Sequence, residues 1–286
     1  MEAQGVDAVA FRDGQRDQWN KAATGWDKWS SLIDSGASVV SDRLVDLAGV
    51  QPGSRVLDIA CGYGEPSLPA ARKAGPEGGV VATDIAKVML DFAAKRAADA
   101  GVDNIEFVES EAIALHFPEH SFDAALSRWG VIFEPEAGMA LNNIRGFLKP
   151  GSKIAVSSWG TPDEVPFLAI PMRTTMKQLN VPPPPPGMPG PLSRPTPEAL
   201  REVLEAGGFS EVEVERMEAV FDYESAAEFT QMVREIAPPI TAMMADHPPE
   251  AQEAAWQAIE DAISEHAKDD GTLSLSNVVL LGTGKA

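Results

Sequence analysis

Three observations in the amino-acid sequence predict an α/β fold built on a doubly wound, mostly parallel sheet. Between Ser54 and Trp159, five short apolar runs alternate with helical stretches, the rhythm of a parallel sheet covered on both faces. The first run leads into a glycine turn and then a helix, the strand–turn–helix device of doubly wound sheets. Later, two long strand-like segments flank a helical block, which puts an antiparallel strand pair at one sheet edge and the helices above it.

Taken in order, residues 11–35 read as a helix, because Trp19, Ala23, Trp26 and Ile33 recur at helical spacing with Trp29 beside them. Ser38 to Gly49 reads as a second helix, stopped by Gly49 and followed by "QPG". The apolar runs are "RVLDIA", "GVVATDI", "IEFVES", "FDAALSR" and "KIAVSSW". Helices fall near 66–74, 87–100 and 136–148, with a shorter turn after Glu111, and "KPGSK" is a turn signal before the fifth run. A helix over roughly 164–180 precedes "VPPPPPGMPGPLSRPTP", whose proline run lacks backbone donors and reads as a stiff connector or lid edge. An SH3-type ligand would instead pair its prolines with a flanking basic residue in an exposed tail. "PTPEALREVLEAGGF" is a helix capped by Thr196, with Pro197 in its first turn and Gly207 as its stop. "SEVEVERMEAVF" alternates as a strand does, and 224–270 is helical, interrupted at Pro238-Pro239 and Pro248-Pro249. "LSNVVLLGTGKA" supplies the last strand, and no internal repeat is visible.

The chain's 286 residues suit one large α/β domain, and a hydrophobic share of 44% is enough for a real core. No apolar run approaches the ~18 residues of a membrane span; "SNVVLLGTG" is far too short. "MEAQGVDAVAFRDGQRD" has no signal-peptide core. A lone cysteine, Cys61, cannot form an internal disulfide, so a cytoplasmic location is expected. With 43 acidic against 23 basic residues the net charge is −20, which opposes nucleic-acid binding, a process that neutralises phosphates with Lys and Arg. Such acidity serves solubility, with attraction of a cationic substrate as the alternative.

The chemistry concentrates at "VLDIACGYGEP". Gly62 and Gly64 let backbone approach a ligand closely, and Pro66 falls where a helix begins. A dinucleotide fingerprint would need Gly or Ala at Ser67 and an apolar residue at Asp58, and a P-loop would need Gly-Lys-Ser/Thr. An acid at the end of the first strand suits an amine better than a pyrophosphate. Asp84 ends the second strand, placed to take two ribose hydroxyls, with Ile85 and Met89 offering apolar surface to a purine. Glu111, after the third strand, can accept from an exocyclic adenine amine. Amine, ribose and adenine, each matched by an acid, describe S-adenosylmethionine (SAM).

"VLDIACGYGEPSLPAA", "VVATDIAKVML", "IEFVESEAIALHFPEHSFDAALSRWGVIFEP" and "FLKPGSKIAVSSW" resemble the successive motifs of the Rossmann-like (class I) SAM-dependent methyltransferases. The similarity is strongest to the branch holding the ubiquinone/menaquinone C-methyltransferases and related small-molecule enzymes, and it covers about residues 52–160. The resemblance implies that Asp58, Ala60, Gly62 and Gly64 border the methionine part of SAM and that Asp84 binds the ribose. It also implies that Ile85 and Met89 flank the adenine, that Glu111 and the Ala112 backbone meet its edge, and that Ser127 and Arg128 lie near the sulfur. Ala60 stands where the family's first turn glycine is usual, and Glu111 where an aspartate is usual. A seven-stranded sheet with an antiparallel last strand is implied as well. On this basis 1–50 would form helices covering the cofactor site, 51–160 the SAM-binding core and 161–195 a Pro-rich lid. Residues 196–286 would complete the sheet, with a helical insertion at about 224–270.

Trp26, with Trp19 and Trp29, either forms the apolar face of a docking helix or sets an indole beside the sulfonium. Cys61 reads as a small buried residue of the turn. No catalytic residue is assigned; His116 is a candidate base, with His120, His247 and His266 weaker ones. No metal-ligand cluster is evident. Methyl transfer from SAM neutralises an already activated sulfonium, so a compact catalytic triad is not required, and positioning supplies most of the rate. Met172, Met176, Met188, Met232, Met243 and Met244, with Phe167, Phe229 and Trp256, are candidates to line an apolar acceptor pocket. The expectation is a SAM-dependent methyltransferase producing S-adenosylhomocysteine (SAH) and methylating a small hydrophobic or aromatic acceptor at O or C rather than N, as monomer or homodimer. The alternatives are a SAM-binding protein without turnover and a nicotinamide-dependent oxidoreductase, the latter opposed by Asp58 and Ser67.

Overall fold

A computed structural model describes residues 7–185 and 187–286. The opening residues of the stretch read as lacking a signal core, and Pro186 of the proline run, lie outside the described residues. Seven strands form one sheet: β1 (Arg55–Ile59), β2 (Gly79–Asp84), β3 (Ile105–Glu109), β4 (Phe122–Arg128), β5 (Leu148–Trp159), β6 (Ser210–Tyr223) and β7 (Leu273–Lys285). Their order is β3-β2-β1-β4-β5-β7-β6. β1 to β5 run parallel, with Val56 opposite both Val80 and Ala124. β7 is antiparallel to both neighbours, pairing Ile154 with Gly284 and Met217 with Val279. The predicted antiparallel last strand is therefore present, inserted between β5 and β6.

Helices α2 (Ser67–Ala74), α3 (Lys87–Asp99), α4 (Ala137–Phe147) and α6 (Pro197–Ala206) follow strands or lead into them. Successive strand residues point to opposite faces. Val56, Val80 and Leu126 join the core under α1 (Ala8–Leu47) and α2, whereas Leu57, Val81 and Ala125 join the core under α4 and α6. Burial on both faces explains why these strands read as nearly continuous apolar runs. After β1 the chain lays β2 and β3 on one side of it and β4 on the other. That reversal opens a crevice beyond the carboxyl ends of β1 and β4, where doubly wound sheets take ligands.

The helical insertion comprises α7 (Ala226–Ile236), α8 (Pro238–Met244) and α9 (Pro249–Ser264), packed on α5 (Pro166–Leu179). Each proline pair sits at a helix start, where a missing N–H costs nothing. Thr196 caps α6 by accepting from the Ala199 N–H at 3.2 Å, and Ser225 caps α7 through the Glu228 N–H at 3.1 Å.

Two sequence expectations change. "KPGSK" lies inside β5 as a register break, between the Phe122–Leu148 and Ala124–Lys153 pairs, with Gly151 at φ +81°. The two N-terminal helices are one 40-residue α1, because Gly36 is a contact point and not a break. A Cβ there would lie 2.4 Å from the Val220 carbonyl oxygen of β6, and one on Gly25 would lie 2.3 Å from that of Glu235. Both glycines accept the roughly 1 kcal/mol helix penalty because close backbone approach requires them. Gly36→Val should therefore push α1 off β6 and destabilise the protein by about 3 kcal/mol, read as a lowered denaturation midpoint. An unchanged midpoint would refute this account of the long helix.

Candidate functional site

The turn after β1 carries three left-handed residues, Ala60 (φ +54°), Gly62 (φ +54°) and Gly64 (φ +104°). A Cβ on Gly62 would meet nothing within 4 Å, whereas one on Gly64 would lie 3.3 Å from the Ala93 Cβ of α3. Gly62 thus faces open space and Gly64 faces the core. Gly62 also donates its N–H to Asp84 Oδ2 at 2.8 Å, while the Ala86 N–H holds Oδ1 at 2.8 Å. Asp84, nearly buried at 6% exposure, is oriented before any ligand arrives.

A cavity of about 240 Å³, open to solvent, lies at this crevice. Asp84, Ile85, Met89, Glu111 and Ala112 line one end together with Ala60, Gly62, Trp26 and Arg128. Of the residues singled out from the sequence, Asp58, Gly64 and Ser127 do not line it. Asp58 is fully buried and its Oδ2 accepts from the Ser67 hydroxyl at 2.5 Å, so it braces the turn from behind. Ser127 Oγ donates to the Ile59 carbonyl at 2.9 Å and accepts from the Val131 N–H, stitching β4 to β1 at the switch point.

The helix α1 closes the cavity from above with Arg12, Gln15, Trp19 and Trp26. The Trp26 indole N–H donates to the Ile236 carbonyl at 3.0 Å, and its ring lies 5.5 Å from that of Tyr63. Trp29 instead donates to Glu235 and does not line the cavity. Arg12 forks onto Glu134, 2.5 Å from Nη2 to Oε1, and reaches Glu136 at 2.5 Å. Arg16 holds Glu111 Oε1 at 2.5 Å, leaving Oε2 as the freer acceptor at the cavity edge. The Arg12 hydrogen bond to Glu134 raises its guanidinium pKa further above the ordinary arginine range.

At the other end the wall is aromatic. Trp129 and Trp159 stack with centroids 4.2 Å apart and planes 4° apart, and Phe167 stacks on Phe221 at 5.4 Å. Trp129 sits at φ +55°, with its N–H held by Ser157 Oγ at 2.9 Å. Of the methionines beyond the first five strands, Met172 alone lines the cavity among the described residues; Phe167 lines it, while Phe229 and Trp256 are core. His116, His120 and His266 are exposed, His247 is half-buried, and none lines the cavity, so the candidate base His116 lies away from this space. Arg12, Glu65, Trp129, Glu134, Trp159 and Phe221 were missed, because nothing in local spacing brings α1, β5 and β6 together. Among the described residues no group of three or more His, Cys, Asp or Glu could hold a metal, and no helix is long and apolar enough to cross a membrane.

Burial pushes the Asp58 carboxyl up to about 7 and the Asp84 carboxyl up to about 6, against the ordinary aspartate value near ~4. The folded chain therefore keeps protons that the unfolded chain has released. Stability from these groups is full below about pH 4 and is lost as pH rises through about 6 and 7. Ligand-free protein should melt higher at pH 5.5 than at pH 8. Asp58→Asn should flatten the dependence above pH 6, since it removes the group titrating near 7. Equal slopes for the two proteins in melting curves would refute the assignment.

Comparison with known proteins gives a consistent result. The profile described as the ubiE/COQ5 methyltransferase family matches residues 15–177. Aklanonic acid methyltransferase DauC of Streptomyces sp. (strain C5) is 41% identical over 116 residues, 41% of this chain and 53% of that protein. The ubiquinone/menaquinone biosynthesis C-methyltransferase UbiE of Hahella chejuensis is 34% identical over 146 residues, 50% of this chain and 59% of that one. The match thus spans between half and three fifths of the length of these relatives. In fold, the chain is similar to phosphoethanolamine N-methyltransferase 2 of Haemonchus contortus, solved with SAM, at a TM-score of 0.57 and 18% identity, covering 99% of this chain and 61% of that one. With more than half of its residues matched by the family profile, the chain belongs to the ubiE/COQ5 methyltransferase family, a family of SAM-dependent methyltransferases.

Proposed function

We propose that the protein transfers the methyl group of SAM to a small, flat, hydrophobic acceptor, at oxygen or carbon. One observation carries this reading: a single cavity joins a preset ribose-type carboxylate, Asp84, to the stacked Trp129–Trp159 wall. The residues present fit SAM. Asp84 is fixed by two backbone N–H groups so that its free lone pairs can accept from vicinal hydroxyls. Ile85 and Met89 offer apolar faces to a purine, and the Glu111 carboxylate lies at the edge of the same end.

When bound, SAM supplies a methyl group already activated on a sulfonium. The chain's part is alignment and exclusion of water. Trp19 and Trp26 roof the cavity, and Trp26 is anchored to the Ile236 carbonyl so that α1 and α7 move together. Trp129, Trp159, Phe167 and Phe221 give the acceptor a flat apolar bed. No histidine lines this bed among the described residues, which favours acceptors that ionise readily themselves, such as acidic phenols, enols and quinols. The names of the two curated relatives, one acting on aklanonic acid and one in quinone biosynthesis, agree with such a class.

The test is SAH formation from SAM across phenols, naphthols, quinols and aliphatic amines. SAH should accumulate with acidic aromatic acceptors and not with the amines. SAM binding with no SAH formed on any acceptor would overturn the transferase reading in favour of a SAM-binding protein.

A further inference from the structure

The sequence pointed to Asp58 as the acid facing the amine of the cofactor, but Asp58 does not line the cavity. Another pair of charges faces it instead. Arg128 is 7% exposed and lines the cavity, yet no carboxylate lies within 4.0 Å of its guanidinium among the described residues. Its partners are neutral: Ser41 Oγ and Tyr63 Oη at 3.0 Å each, and the Ala37 carbonyl at 3.5 Å. Those contacts fix the guanidinium against α1 without neutralising it. Buried charges are otherwise paired, because an uncompensated one is costly in a poorly solvated site.

Glu65, the residue after the glycine turn, also lines the cavity, is half-buried, and has no cation within 4.0 Å among the described residues. Burial raises its carboxyl above the ordinary range, and the Arg128 charge opposes that rise, so the two groups share one electrostatic neighbourhood without touching. The adjacent ion pair is closed: Asp34 accepts from Tyr63 Oη at 2.8 Å and from Arg96 Nη2 at 2.5 Å. The local charges thus form one satisfied pair, Asp34 with Arg96, and one open pair, Glu65 with Arg128.

We infer that Glu65 and Arg128 form a dipolar receptor for the amino-acid end of the cofactor, Arg128 taking the α-carboxylate and Glu65 the α-ammonium. This rests on the SAM reading above. A zwitterion entering between the two supplies each with its missing counter-ion and leaves the cluster's net charge unchanged. The guanidinium fork suits a carboxylate geometrically.

Titration calorimetry of the full chain with four ligands tests the inference: SAH, decarboxylated SAH, deaminated SAH and methylthioadenosine, which lacks both charges. Wild-type protein should bind SAH at least about 100-fold more tightly than methylthioadenosine, each charged hydrogen bond contributing about tenfold or more. Arg128→Leu should lose about 10- to 100-fold for SAH and deaminated SAH while binding of decarboxylated SAH is unchanged. Glu65→Gln should show the reverse pattern. Glu65→Gln, which removes the charge and keeps the side chain's shape, tests the pair even if Arg128→Leu fails to fold: an unchanged preference for deaminated and decarboxylated SAH would overturn it. Methylthioadenosine binding as tightly as SAH would overturn the receptor and leave the SAM site standing. No binding of either would overturn the SAM site itself, and with it the receptor.

Discussion

Asp84→Ala should weaken SAH binding by about 100-fold or more, the largest effect expected of any single change at the cofactor end. The carboxylate is held by the Gly62 and Ala86 N–H groups, so its orientation costs nothing when a ribose arrives. Two hydrogen bonds from hydroxyls to a charged acceptor, at roughly 1.5–3 kcal/mol each, correspond to a loss of two orders of magnitude or more. Removing the side chain also releases the Gly62 N–H and loosens a turn that depends on left-handed backbone at Ala60 and Gly62. Asp84→Asn retains one acceptor and should fall between wild type and Asp84→Ala. Because burial raises this carboxyl to about 6, wild-type affinity should also decline as pH is lowered through that value. Calorimetry at pH 7.5 and at pH 5.5 reads both effects; a full-strength Asp84→Ala complex would remove the ribose assignment.

Arg12→Leu should cost about 3–5 kcal/mol of stability, the range for leaving a buried ion without its partner. The side chains of Arg12 and Glu134 are 8% and 7% exposed, so solvent screens their interaction little. Glu136, at 31%, completes the contact. Leucine would leave Glu134 stranded beside the cavity, with only the Glu136 N–H at 3.0 Å still facing it. The double variant Arg12→Leu/Glu134→Gln should recover much of the loss, since it removes the stranded charge. Denaturant midpoints of the four proteins measure the coupling, and simple additivity would contradict it. The same ion pair fastens the first turns of α1 over the cavity, so the single variant should also bind SAH more weakly.

The parallel core was readable because β1, β2 and β4 bury both faces and carry dense apolar runs closed by turn residues, with β3 at the sheet edge less buried. The cap at Thr196 marked a helix start, and the proline pairs at 238–239 and 248–249, read as interruptions, begin α8 and α9 because proline fits a first turn. The join between the helices expected at 11–35 and 38–49 was not readable, because Gly36 serves close approach to β6 inside one continuous helix. At Asp58, strand position fixes that an acid lies near the turn, whereas its contact with Ser67 and its absence from the cavity lining come from packing that no local pattern encodes. The acceptor wall draws on α1, β4, β5, α5, β6 and α7, and no local pattern encodes a meeting of segments so far apart in sequence. Trp159 and Phe221 read simply as apolar strand residues, and the structure gives them their place in the wall.

The central claim is that this cavity takes SAM, and a calorimetric titration with SAH against a parallel titration with NAD tests it most directly. One SAH site per chain is expected, weakened by about 100-fold or more in Asp84→Ala, with no heat of binding from NAD. Saturable binding of NAD with none of SAH would contradict it.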